Sequence, residues 1–340
     1  MNITLPRRPS FVLAVLVFLW SAGFGVRAQD IQERVIKFGH LNPPDHPIAA
    51  GVRKFAEIVA ARSGGKLRVR EFASSQLGSE MQQQSALQGG TQEMFSPATT
   101  STVGVAKELG LLDFPFGVAT YGQADALLDG PLGAALLGKL TEKGLVGLAY
   151  WENGFRHVTN SRKPIQKVED LEGLKMRVIA NPVFVETFKA LKVNPVPMAF
   201  AELYGALESK AVDAQENPYP VLLSARFYEV QKYVSNTHHV YSPIVVLVGR
   251  PFWDKLSPAE QKILTDAALE TRLFQRNASR AYAANAVAEL KSKGMQVNDL
   301  PDLERERMQK VVRPVTEKFA ASYDPALVKL YFTELDRVRK

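Results

Sequence analysis

Glu169 to Leu222 reads EDLEGLKMRVIANPVFVETFKALKVNPVPMAFAELYGALESKAVDAQENPYPVL. Within it, Lys175 to Ile179 (KMRVI) has the composition of a strand. Side chains alternate along a strand, so Met176 and Val178 share one face and Arg177 takes the other. Pro182 to Leu191 and Phe200 to Ser209 follow with helical spacing. A short apolar strand alternating with amphipathic helices is the signature of an α/β protein.

The same alternation continues on both sides. Val35 to Leu41 reads as a strand, and Pro47 to Ala61 as a helix with Ile48, Val52, Phe55, Ile58 and Val59 on its buried face. Lys66 to Phe72 alternates like a strand, and Glu93 to Ser96 is a shorter one. Ser79 followed by Gln82 is a capping box that opens a helix. Gly144 to Trp151, Phe155 to Thr159, Tyr233 to Val234 and Val240 to Val248 read as four further strands. Ser257-Pro258-Ala259-Glu260 supplies a cap, a first-turn proline and a reciprocal glutamate. Helical periodicity then runs to about Lys293, a length that bridges domains. Helices over Leu303 to Ser322 and Pro325 to Val338 close the chain. No Pro/Gly/Ser-rich linker divides it, so the pattern is two α/β units that share elements.

The N-terminus carries an export signal. Arg7 and Arg8 precede an uncharged run from Phe11 to Gly25, and Val26-Arg27-Ala28 supplies a cleavage site. The 15-residue run is short of the roughly 20 residues that span a bilayer, so cleavage after Ala28 is expected, with an exported, untethered product. There is no cysteine, which excludes disulfides, thiol catalysis, zinc–thiolate sites and a lipidated cysteine anchor. The net charge of +7 falls by three once Arg7, Arg8 and Arg27 leave, and basic residues are interspersed with acids. No run of like charge points to nucleic acid.

No enzyme motif stands out. Phosphate-binding glycine loops and Gly-x-Ser-x-Gly are absent. The five histidines, His40, His46, His157, His238 and His239, lack zinc-ligand spacing. The expectation is a protein without catalytic residues, cofactor or metal.

NGFRHVTNSRKPI (153–165), EDLEGLKMRVI (169–179) and NPVPMAFAELYGALESKAVDAQENPYPVL (194–222) together resemble the DctP-like substrate-binding proteins of tripartite ATP-independent periplasmic (TRAP) transporters. KFGHLNPPDHPIAAGVRKFAE, QLGSEMQQQSALQGGTQEM, LDFPF and FWDKLSPAEQKIL extend the resemblance over nearly all the mature chain. It implies a two-lobed periplasmic-binding-protein clamshell with a long interdomain helix. Lobe I is expected to span 29–153 plus about 242–282, and lobe II 154–241 plus about 283–340. It implies a small carboxylate ligand, delivery to the transporter's membrane components, and no catalysis. Arg177 would bind the ligand carboxylate, since a guanidinium matches it with a planar pair of donors. Asn217 would donate its amide, Phe200 would pack on the ligand's apolar part, and Arg156 would be the second cleft arginine, with Arg162 as its rival. From lobe I, His40, Asn42, Glu80 and the stretch Ser96 to Thr100 would complete the lining. Trp151 is either a cleft wall or core.

The rival readings are an ABC-importer or sensor binding protein of the same fold, and a bilobal enzyme. FRHVTNSRKPI and FYEVQKYVSNTHHVYSP most resemble members that take sugar acids, and four-carbon dicarboxylates, 2-hydroxy or 2-oxo monocarboxylates and aromatic acids stay open beside them. A monomer is the default state, with Asp324 to Lys340 as a pairing element if the protein is a dimer.

Overall fold

The computed structural model describes Met1 and residues 31–340. The leader reading, apart from Met1, lies outside the described residues. Among the described residues no helix is long and apolar enough to cross a membrane.

Among the described residues nine strands and eleven α-helices follow in chain order. They are β1 (Arg34–Gly39), α1 (Pro47–Arg62), β2 (Leu67–Phe72), α2 (Glu80–Gly89), β3 (Met94–Phe95), α3 (Tyr121–Leu128), α4 (Pro131–Thr141) and β4 (Leu145–Asn160). Next come β5 (Lys175–Val178), α5 (Pro182–Ala190), β6 (Asn194–Pro197), α6 (Phe200–Glu208), β7 (Ala214–Pro218), α7 (Tyr219–Ser224) and β8 (Tyr233–Gly249). The chain closes with α8 (Arg250–Trp253), α9 (Pro258–Ser292), β9 (Gln296–Asp299), α10 (Asp302–Ala320) and α11 (Pro325–Arg339).

The strand order is β2-β1-β3-β8-β4-β7-β5-β6, with β9 beside β8. On one side β1, β2 and β3 are parallel, and on the other β5, β6 and β7 are parallel. The antiparallel pair β4 and β8 lies between them and belongs to both halves. Ligands of open parallel sheets bind beyond the carboxyl ends of the strands. The segments that follow β1, β3 and β5, and the end of β7, are therefore where a site is expected.

The four strands expected over 144–159 and 233–248 are two long ones. Glu152-Asn153-Gly154 reads like a break, but the chain stays paired through it by a bulge between Glu152 and Gly154. Gly154 adopts φ +123, a region that favours glycine. A second irregularity lies opposite 236–239, between Arg156 and Val158. Helices α3 and α4, which the periodicity of the sequence does not announce, cover the first half.

Separate cores explain the two lobes. Ile48, Val52, Phe55, Ile58 and Val59 of α1 pack over Ile36 and Phe38, as their spacing requires. Trp151 joins this cluster, fully buried, with its ring nitrogen on the Ala268 carbonyl, so it is core and not cleft wall. In the other lobe, Met176 and Val178 pack against Phe184 and Phe188. Helix α9 is about 52 Å long at 1.5 Å per residue. Its Leu264, Ala267 and Ala268 belong to the first lobe's core, and its Ala286 and Leu290 to a cluster with Leu203 and Leu207 of the second. The capping box of Ser257 and Glu260 starts it, as expected. Helix α11 returns to pack Leu327, Tyr331 and Leu335 among Leu127, Leu128 and Leu132 of α3 and α4.

Candidate functional site

A cavity opens between the lobes, lined on one side by Leu41, Asn42, Glu80, Ser96, Ala98, Ser101 and Ile244. Asn153, Arg156, Arg177, Ile179, Phe200, Asn217 and Val221 form the rest. Of the residues singled out from the sequence, Arg177, Asn217, Arg156, Phe200, Asn42, Glu80 and Ser96 meet here.

Arg177 sits in β5 opposite the core face of Met176 and Val178 and is 1 % exposed. Its Nε donates to the Met198 carbonyl at 3.0 Å. Among the described residues that is its only hydrogen bond, and no carboxylate pairs with it. Burial pulls its pKa down to about 10, against the fields of Glu80 and Glu216, so it is charged at neutral pH. A buried guanidinium that faces a cavity with no carboxylate paired to it can receive an anion there.

Arg156 differs. It is equally buried, but Glu216 neutralises it: Nε and Nη2 both reach the Glu216 carboxylate, the latter at 2.8 Å, and Nη2 also reaches the Glu216 carbonyl at 2.7 Å. His239 adds a 3.1 Å contact to the same carboxylate. Burial pushes the Glu216 pKa up, yet Arg156 and His239 hold it net below the usual carboxylate range. Arg156 also donates to Asn217 Oδ1 at 3.1 Å, while Asn217 Nδ2 donates to Gln215 Oε1 at 2.6 Å. The Asn217 amide, expected to face a ligand, is thus turned to its own strand here. The rival Arg162 is exposed and pairs with Asp213 at 2.7 Å, away from the cavity.

On the lobe I side, Glu80 is the first residue of α2, and its Oε1 accepts from the backbone N–H of Phe200 at 3.1 Å. This contact joins the starts of α2 and α6 across the cavity. Phe200 presents its side chain to the same space, its ring edge-on to Phe227. His40 is not in the lining. It is fully buried at the end of β1, and its Nε2 contacts Glu71 at 3.0 Å. The strand turns it into the lobe, and Leu41 and Asn42 reach the cavity instead. Of the stretch 96–100, Ser96 and Ala98 line the wall, and Ser101 beyond it does too.

Asn153 is a lining residue that the sequence motifs do not single out. In a regular strand positions 153 and 156 would face opposite sides, yet both line the cavity. The bulge at Gly154 shifts the alternation by one. A glycine inside an apolar strand pattern is the signal that could have found it.

A second contact joins the lobes. Asn181 caps α5 by accepting from the N–H of Val183, and its Nδ2 donates to the Thr100 carbonyl at 2.9 Å and to Asp113 at 2.8 Å. Asp113 also accepts from the Thr100 hydroxyl at 2.7 Å. Burial pushes the Asp113 pKa up from 3.8 to about 7, although hydrogen bonds from Thr100 and Asn181 and the charge of Arg156 pull it down. The folded state therefore holds this proton more tightly than the unfolded chain. The stability it contributes is complete below the unfolded value and is lost as pH rises through about 7. In Asp113→Asn the amide oxygen accepts from Asn181 and the Thr100 hydroxyl turns to accept, so the loss disappears. Denaturant unfolding at about pH 5 and about pH 8 should show the variant gaining on the wild type by on the order of 3 kcal/mol. An unchanged difference between the two would contradict this account.

Among the described residues no group of three or more histidine and acidic side chains could hold a metal ion.

The family model described as "Bacterial extracellular solute-binding protein, family 7" (DctP) matches residues 38–322. The 2,3-diketo-L-gulonate-binding periplasmic protein YiaO of Escherichia coli K12 is 38 % identical over 270 residues, 79 % of this chain and 82 % of its own length. The sugar acid binding protein DctPAm of Advenella mimigardefordensis, solved with galactonate, superposes with a TM-score of 0.89 at 39 % identity, over 91 % of this chain and all of that one. A TRAP periplasmic solute-binding protein of Polaromonas, solved with D-erythronate, gives 0.85 at 38 % identity, over 88 % of this chain and 98 % of its own.

Proposed function

Because this chain belongs to bacterial extracellular solute-binding protein family 7, the substrate-binding proteins of TRAP transporters, we propose that it captures a small organic carboxylate in the periplasm and presents it to such a transporter. The carrying observation is Arg177, a buried cation facing the interlobe cavity with no carboxylate of its own. A ligand carboxylate supplies the missing charge through two parallel N–H···O bonds. Arg156, held by Glu216 and Asn217, adds a fixed dipolar wall without a free charge.

The protein works by binding and closure, not by transforming the ligand. Ligand touches β5 and α6 on one lobe and the ends of β1 and β3 on the other, so it stabilises the closed form over the open one. β4 and β8, with their bulges, and the long α9 absorb the motion. The contacts Glu80–Phe200 and Asp113–Asn181 form on closure. The leader pattern read at 1–28 supports action outside the cytoplasmic membrane.

Melting of the mature chain, unfolded and refolded to strip carried ligand, tests this against a panel of galactonate, erythronate, 2,3-diketo-L-gulonate, succinate and an aromatic acid. At about 100 times the dissociation constant, a true ligand adds about 2.7 kcal/mol of stability and raises the melting temperature. No shift with any acid would remove the carboxylate reading.

A further inference from the structure

The two walls of the cavity are chemically unequal. Among the described residues, the lobe II wall holds one cation without a carboxylate at ion-pair distance, Arg177, which the fields of Glu80 and Glu216 stabilise only from farther off. Among the residues lining the lobe I side there is no cation at all. In its place stand the Glu80 carboxylate and the side chains of Asn42, Ser96 and Ser101, with Asn153 between the walls. Two of these hold buried oxygens that have no hydrogen-bond partner among the described residues: Ser96 Oγ and Asn153 Oδ1. Both residues are more than nine-tenths buried. A buried acceptor left without a donor costs free energy that a ligand hydroxyl recovers. Glu80 gives one oxygen to Phe200 and has further acceptor capacity toward the cavity.

Resting on the carboxylate-capture reading, we infer that this cleft selects a monocarboxylate whose far end carries hydroxyl groups and rejects a second carboxylate, with Glu80 and Asn153 as the selecting residues. The accounting is one of charge and of donors. The first carboxylate is matched by Arg177. A second would meet the Glu80 carboxylate, a like-charge contact on a wall whose lining residues include no cation. Hydroxyl groups at the same place donate to Glu80, Asn153 and Ser96, and their lone pairs accept from the Asn153 amide. Sites built to hydrogen-bond a ligand hydroxyl discriminate strongly against analogues that lack it, because their own polar groups are then left unpaired. The bulge at Gly154 is the backbone device that brings Asn153 into the cavity beside Arg156. A side chain at 154 would also press on Pro218, whose Cβ lies 3.3 Å from where the new β-carbon would stand.

The test compares two four-carbon acids, D-erythronate and succinate, by titration calorimetry on the refolded mature chain, with butyrate as the plain monocarboxylate. Wild type should bind erythronate at least about 100-fold more tightly than succinate. In Glu80→Gln the amide oxygen still accepts from Phe200, so the lobes keep their contact. The preference should nevertheless shrink by about tenfold or more, mainly through better succinate binding. Asn153→Ala should weaken erythronate by about tenfold and leave butyrate within about twofold. Succinate binding as tightly as erythronate to wild type, or a preference unmoved by Glu80→Gln, would overturn the inference while leaving carboxylate capture intact. Failure of every acid, including the full panel above, would instead overturn carboxylate capture and this inference with it.

Discussion

Replacing Arg177 by methionine should separate binding from stability. The variant keeps most of the aliphatic stem, which packs in the cleft wall, and removes only the guanidinium. Because that cation is buried without a counter-ion, the ligand-free fold should melt at the same temperature or higher once it is gone. Affinity for the captured acid should fall by about 100- to 1,000-fold, roughly 3–4 kcal/mol, since the ligand carboxylate would then be buried unpaired. Calorimetric titration and a melting curve on the same preparation read both quantities. Affinity within a few-fold of wild type would show that another group holds the carboxylate. A large loss of ligand-free stability would show that Arg177 is a structural residue.

Glu216→Gln should give the opposite signature. The glutamate neutralises Arg156 inside the protein and contacts His239. Removing it leaves a buried, uncompensated cation, at a cost of about 3–5 kcal/mol. The ligand-free protein should therefore unfold at clearly lower denaturant, while Arg177 remains in place. Exchanging both partners, as Arg156→Met with Glu216→Leu, should recover much of the loss, because two charges then leave the interior together. Equal destabilisation in the single and double variants would argue that shape rather than charge governs this position. The Glu216 carboxyl is held net below its usual range, so its contribution is present at neutral pH and is lost as pH falls through the folded value.

The two arginines look alike in the sequence, and only their partners distinguish them. KMRV places Arg177 correctly because the rule behind it is local: Met176 and Val178 need a core, so Arg177 must face away. The same local rule locates the buried stripe of α1 and both capping boxes. It fails at Glu152-Asn153-Gly154. A bulge there changes which side each residue faces, and a strict alternation cannot supply that. Asn153 escapes the sequence for this reason, and one long strand reads as two. His40 is misplaced by a single position, since the segment after β1 turns before it reaches the cavity. Contacts between residues far apart in the chain are not legible at all. Glu216 as the counter-ion of Arg156, and Asp113 as the partner of Asn181, become visible only when the lobes are assembled. The residues named from the family resemblance come together at one interlobe cavity, but the division of charge between its walls comes from these long-range pairs.

Arg177, not Arg156, should receive the ligand's carboxylate. A crystal structure of the complex with the acid that gives the largest melting shift decides between the two. The account predicts a carboxylate spanning the two terminal nitrogens of Arg177 at about 2.7–2.9 Å, with Glu216 still paired to Arg156. A carboxylate seated on Arg156 with Glu216 displaced, or a ligand outside the interlobe cavity, would contradict it.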